Sequence, residues 1–146
     1  RKADAIVGTM PNLVEHVAAV VRQHGPVHTI PIGVDADALD APVPVAPEWV
    51  AANVPEGKFI VCHAGTIGIT NALETLFDCA RQLQNQSDLH FLIVGEGGLR
   101  GHYMQQCADL PNVTFTGQVP KQQVQSVLAQ ADLLYFAVHP SKVWHY

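Results

Sequence analysis

Three short glycine-bearing loops hold most of the chemistry this sequence can offer: Gly65-Thr66-Ile67-Gly68, Gly95-Glu96-Gly97-Gly98 and Gly117-Gln118-Val119-Pro120. Glycine lets a backbone turn sharply, and with no side chain in the way an anionic group can approach main-chain amides. For any one loop the plainer reading is a turn from strand to helix. Three of them at the ends of successive expected strands shift the balance toward a binding site, without naming the ligand.

Other constellations are weaker. Gly95-Glu96-Gly97 invites a dinucleotide fingerprint, G-x-G-x-x-G, but the third glycine would fall on Arg100. That loop also follows the second strand of its domain, not the first. Of the eight histidines, His24 and His28 are four apart with Gly25-Pro26 between them. His63, His90, His102, His139 and His145 show no ligand spacing with one another or with the cysteines. No metal site and no cofactor is expected. No serine nucleophile elbow or phosphate-binding P-loop occurs. Arg100 and Lys142 are candidate anion contacts, each equally readable as a solvated charge.

The elements that would position these loops follow from periodicity. Ala3–Gly8 reads as a strand, and Leu13, Val14, Val17, Ala18 and Val21 recur at helical spacing, with Glu15 and Arg22 matching the helix dipole. His28–Ile32 reads as a second strand. From Val34 to Glu56 four prolines (Pro42, Pro44, Pro47 and Pro55) break any period, which predicts a linker with one helical turn around Trp49. Beyond it, strands are expected at Phe59–His63, Leu89–Val94, Val113–Gly117 and Asp132–Val138. Helices between them carry Leu73, Leu76, Phe77, Ala80 and Leu83, then Leu99, Tyr103 and Cys107, then Val124, Val127, Leu128 and Ala131. Asn71 with Glu74 reads as a capping box. Strand-helix alternation with wholly apolar strands means α/β: a Rossmann-like, doubly wound parallel sheet covered on both faces.

The bulk numbers agree. The chain has 146 residues, 48% hydrophobic and 14% charged, with a net charge of -5. It is apolar enough to fold around one sizeable core, and not basic enough for a nucleic-acid partner. No apolar run approaches the ~20 residues of a membrane span. The three cysteines, Cys62, Cys79 and Cys107, are spread singly, which suits reduced thiols in the cytoplasm. Both ends read as cut: position 1 is Arg, and the chain stops at Val143-Trp144-His145-Tyr146.

In this order the motifs resemble the family 4 glycosyltransferases, retaining enzymes of the two-lobed GT-B fold. The carrying residues are Ala3-Asp4-Ala5-Ile6-Val7-Gly8, Ile30-Pro31-Ile32-Gly33-Val34-Asp35, Gly65-Thr66-Ile67-Gly68, Leu92-Ile93-Val94-Gly95-Glu96-Gly97, Asn112 to Pro120 and Ala131-Asp132-Leu133-Leu134. The resemblance implies that residues 1–40 are the last strand-helix-strand unit of the N-terminal acceptor lobe. Residues 41–57 would be a Pro-rich linker, and 58–146 the first half of the C-terminal lobe that grips a nucleotide diphosphate-sugar. By the same resemblance Gly65, Thr66, Gly68 and Asn71 approach the donor diphosphate, Gly95, Glu96 and Gly97 line the cleft, and Gly117, Gln118 and Val119 meet the base.

Two departures stand out. Many family members carry an Arg after the first glycine and a Lys some five residues on, where this chain has Thr66 and Asn71. The family's acidic E-x7-E region would follow Tyr146, so no catalytic residue is expected within these residues and the piece alone is expected to be inactive. The resemblance implies transfer of a sugar to a glycan or lipid-linked acceptor in polysaccharide or lipopolysaccharide assembly. The full-length protein would be cytoplasmic, with peripheral membrane association. A nucleotide-sugar epimerase of the same fold and a non-catalytic Rossmann-like interaction module stand as alternatives.

Overall fold

The computed structural model describes residues 3–33 and 41–139. Val34, Asp35, Lys142, His145 and the C-terminal aromatic cluster lie outside the described residues. The chain divides into two compact units, with residues 3–33 in one and 41–139 in the other.

The first unit is one parallel β-α-β turn. Strand β1 (Ile6–Gly8) and strand β2 (Val27–Thr29) pair in parallel with Ile6 opposite Val27, and helix α1 (Leu13–Val20) connects them. Both strands are shorter than the apolar runs predicted. Val7 in β1 and Ile30, just past β2, are exposed, so little packing extends the ladder. Arg22 falls beyond the end of α1 and has no place in its last turn, whereas Glu15 does sit in its first.

The second unit holds the core. Its strands β3 (Phe59–Ala64), β4 (Leu89–Val94), β5 (Val113–Gly117) and β6 (Leu133–Leu134) are all parallel, in the order β5-β4-β3-β6. Alternation along the strands sends side chains to two different layers. Val61, Phe91 and Ile93 pack under helices α3 (Glu74–Gln82) and α4 (Arg100–Gln106), against Leu76, Phe77, Ala80 and Tyr103. Ile60, Cys62, Leu92 and Val94 pack on the other face, against Val45, Val127 and residues of helices α2 (Pro47–Asn53) and α5 (Val124–Leu128). Helices on both faces of a parallel sheet are the doubly wound arrangement the periodicity predicts.

Three expectations need correction. The stretch 47–53 is a full helix, because Pro47 sits at the helix start, where its ring costs nothing. Trp49, Val50 and Val54 then reach the second core layer. The residues before it are strapped down: the Val43 amide donates to the Gln122 carbonyl at 3.2 Å and the Val45 amide to Ser126 Oγ at 3.1 Å. The capping box is absent. Between Asn71 and the helix, Ala72 takes a left-handed conformation (φ 42°), and α3 begins at Glu74 with no side-chain cap. The Glu74 carboxylate instead accepts the Tyr103 hydroxyl at 2.6 Å. The last strand is two residues long, continued only by the Tyr135 amide donating to the Cys62 carbonyl at 2.8 Å. Beyond it Phe136 is exposed, and the His139 amide donates to the Thr70 carbonyl.

Ala72 carries strain that glycine would not, since a Cβ in the left-handed region costs roughly 1–2 kcal/mol. Ala72→Gly is expected to raise stability by about 0.5–1 kcal/mol once the extra freedom of glycine in the unfolded chain is deducted. A urea midpoint at or below that of the parent chain would contradict it.

Two buried histidines make the fold acid-sensitive. His90 is shielded in β4, with Nε2 2.9 Å from Thr114 Oγ1 and Nδ1 unpartnered. Burial, aided by the Lys58 charge, brings its pKa from 6.5 down to about 4. His63 shifts the same way, through burial. Between pH 6.5 and 4 the unfolded chain therefore binds more protons than the folded one. The His90 contribution is complete above 6.5 and declines as pH falls toward 4. Melting temperatures across this window should drop with acid, and His90→Leu should drop less steeply. Parallel curves for the two proteins would refute the assignment.

Of the cysteines, Cys62 is buried in β3, its thiol pushed up to about 11 by burial. Cys107 is buried just past α4, and Cys79 is exposed on α3; all three are free thiols.

Candidate functional site

The carboxyl ends of β3, β4 and β5 stand side by side, and there a cleft of about 330 Å³ opens within the second unit. Ala64, Gly65, Thr66, Val94, Gly95, Glu96, Gln118, Val119, Lys121 and Val124 line it. The crevice outside the carboxyl ends of the strands is where open α/β sheets bind ligands.

The loops differ in what their glycines do. The β3–β4 ladder runs on past both strands: the Gly65 amide donates to the Val94 carbonyl at 2.9 Å and the Ile67 amide to the Glu96 carbonyl at 2.9 Å. The Leu99 amide returns to the Ile67 carbonyl at 3.1 Å, and the Gly95 amide donates across to the Gly117 carbonyl at 2.9 Å. This ladder draws the two loops so close that a Cβ on Gly95 would land on the Gly65 carbonyl oxygen, and one on Gly97 on the Ile67 carbonyl oxygen. Gly95 also sits at φ 137°. For these two the plain structural role suffices.

Gly65 is different. A Cβ there would meet only the His63 ring, at 3.6 Å, an ordinary contact, and its φ is outside the left-handed region. The fold itself does not demand glycine at this position, yet it lines the cleft. The amides on either side of Ile67 also separate from their neighbours. Those of Thr66 and Gly68 make no backbone hydrogen bond among the described residues, while Gly65 and Ile67 are tied into the ladder. Thr66 thus offers a main-chain N–H and a hydroxyl at the cleft wall.

Of the residues singled out in sequence, the cleft brings together Gly65, Thr66, Gly95, Glu96, Gln118 and Val119. Gly68, Asn71, Gly97 and Gly117 do not line it. Gly97 supports Ile67 from behind, and Gly117 (φ 78°) turns the chain at the end of β5. Asn71 belongs to the 3-10 turn Ile69–Asn71, and its side chain accepts from Thr70 Oγ1 at 3.2 Å. That turn and Ala72 also separate the Gly65–Gly68 loop from the start of α3, so the α3 dipole does not act directly on this loop.

Electrostatically the cleft holds one acid and one cation among its described lining residues. Glu96 and Arg100 form an ion pair, Nε 3.4 Å from Oε1 but without a hydrogen bond, and Arg100 does not line the cleft. Lys121, in the 3-10 turn Lys121–Gln123, was not singled out by sequence. A usable signal was present: Lys121 directly follows Pro120 at a strand's carboxyl end, where side chains face the crevice. Val94 and Val124 complete an aliphatic wall that periodicity alone assigns to the core.

Sheet, crossovers and cleft together define a Rossmann-like α/β domain of the kind found in GT-B glycosyltransferases. The chain belongs to the family Glycosyl transferases group 1, which it matches over residues 58–143. Sequence comparison with curated proteins gives no match. Among solved structures, the pneumococcal O-GlcNAc transferase GtfA, in complex with UDP and GlcNAc, is similar at TM-score 0.64 and 15% identity, over 93% of this chain and 26% of that one. Sucrose-phosphate synthase from Thermosynechococcus elongatus is similar at TM-score 0.64 and 21% identity, over 95% and 37%. Anabaena HepE, in complex with UDP and glucose, is similar at TM-score 0.63 and 17% identity, over 93% and 38%. The chain therefore spans between a quarter and two fifths of the length of these proteins. Among the described residues, no helix is long and apolar enough to cross a membrane.

Proposed function

We propose that the cleft is the nucleotide-sugar donor site of a retaining glycosyltransferase, with the diphosphate over Gly65 and Thr66 and the base toward Val119. The observation that carries this is Gly65: a glycine at the cleft wall that the fold does not require. A side chain there would obstruct a ligand, not the protein. The UDP complexes of GtfA and HepE support a nucleoside diphosphate as that ligand. Membership of a transferase family supports transfer over epimerisation and over a bare interaction module.

On this reading the chain's own groups bind and orient the leaving group. The Thr66 amide and hydroxyl face a diphosphate whose negative charge grows as the sugar departs, the kind of pre-aimed donor that lowers such a barrier. The Arg100 guanidinium, paired with Glu96, offsets part of an acid charge that would otherwise repel the diphosphate. The acceptor is a glycan or lipid-linked sugar of polysaccharide or lipopolysaccharide assembly, and the full-length protein works in the cytoplasm, against the membrane face. Titration calorimetry should show UDP binding well ahead of NAD and inorganic phosphate; equal or no response to all three would overturn the donor site. Retention is read from the anomeric configuration of the product by NMR, and an inverted product would remove that part.

A further inference from the structure

The cleft changes character from one strand end to the next. With strands in the order β5-β4-β3, the β3 and β5 ends are two strand spacings apart, about 10 Å. Gly65 and Thr66 stand at the β3 end, offering main chain and a hydroxyl. At the β5 end the lining residues are Gln118, Val119, Lys121 and Val124, with Val94 next to them: valines otherwise packed into the second core layer, and one lysine. No ion pair engages Lys121: among the described residues the pairs are Arg81–Asp109 and Arg100–Glu96. The acid that shares the cleft forms its ion pair with Arg100.

We infer that Lys121 selects the base, its ammonium donating to the exocyclic oxygen at C4 of a pyrimidine or C6 of a purine. This deepens the donor-site reading and rests on it, because phosphates at the β3 end leave the base at the β5 end. A lysine ammonium has three donors and no acceptor. A base edge that presents a carbonyl oxygen satisfies it. An amino group at that same position sets donor against donor and costs the ammonium this bond. The preference follows within each size class: uracil over cytosine, and guanine over adenine.

The test is calorimetric titration of the chain, and of its Lys121→Ala, Lys121→Glu and Lys121→Arg variants, with UDP, CDP, GDP and ADP. The parent chain should prefer UDP to CDP, and GDP to ADP, by about tenfold, one charge-assisted hydrogen bond. Lys121→Arg should keep both ratios, Lys121→Ala should bring them near unity, and Lys121→Glu should invert them. Because Lys121 is exposed, these variants should melt with the parent chain. If Lys121→Ala weakens all four ligands equally, the lysine serves the phosphates, and base selection is overturned while the donor site stands. Unchanged affinities in Lys121→Ala overturn it as well. A parent chain that binds none of the four removes the donor site, and the selection with it.

Discussion

Gly97→Ala is expected to destabilise the fold by about 3 kcal/mol, the upper end of what overpacking a dense interior usually costs. The new methyl would occupy the position of the Ile67 carbonyl oxygen and lie 2.6 Å from its carbon. No flexible side-chain end is present to swing away, since the obstacle is main chain. Ile67 cannot retreat cheaply either. Its side chain is fully buried in the core layer under α3 and α4, and its carbonyl accepts the Leu99 amide. Relief therefore needs the β3 and β4 loops to part, breaking the bonds that extend the ladder. Urea denaturation reads the effect as a lower midpoint at unchanged slope. A variant with the parent midpoint would mean that the loops do not approach this closely.

Gly65→Val should do the reverse, sparing the fold and removing the ligand. The first added carbon meets only the His63 ring at 3.6 Å, so stability should stay within about 1 kcal/mol of the parent chain. Affinity for UDP should fall at least about a hundredfold, the loss of roughly 2.7 kcal/mol, because valine fills the approach to the Thr66 amide and hydroxyl. The contrast between the two glycines is itself the experiment. If Gly65→Val unfolds the chain while its folded fraction binds UDP normally, Gly65 is a turn residue and nothing more. If both variants fold and both bind, the loops are not the site.

The two glycines also show where sequence reasoning reaches its limit. All three loops were legible as glycine turns at strand ends, because apolar runs such as Leu89–Val94 and Phe59–His63 announce where strands stop. The different jobs of Gly65, Gly95 and Gly97 were not. Each depends on a contact between loops some thirty residues apart, and nothing local distinguishes a glycine needed for packing from one needed for access. Lys121 escaped notice for a related reason. A lone lysine after a strand reads as a solvated charge until the sheet order places it beside Val94 and Glu96.

The misread elements follow the same line. Pro47 looked like a helix breaker because four prolines cluster there, yet a proline at the first helical position is harmless, and Trp49 and Val50 find the core only through the fold. Asn71 and Glu74 have the spacing of a capping box, but Ala72 turns the chain between them and Glu74 binds Tyr103 from the next helix. Asp132–Val138 is apolar enough for a strand of seven, and ladder pairing stops after Leu134.

By itself, then, the sequence of this protein determined the alternation of strands and helices, the parallel doubly wound sheet, and the edge on which its loops gather. These rest on period and apolar content, which are properties of neighbours along the chain. Tertiary structure alone decided which glycines hold the loops together, which one leaves the cleft open, and which cation stands in it. Those are properties of neighbours in space, set when the β3–β4 ladder brings Gly65 against Gly95 and Ile67 against Gly97.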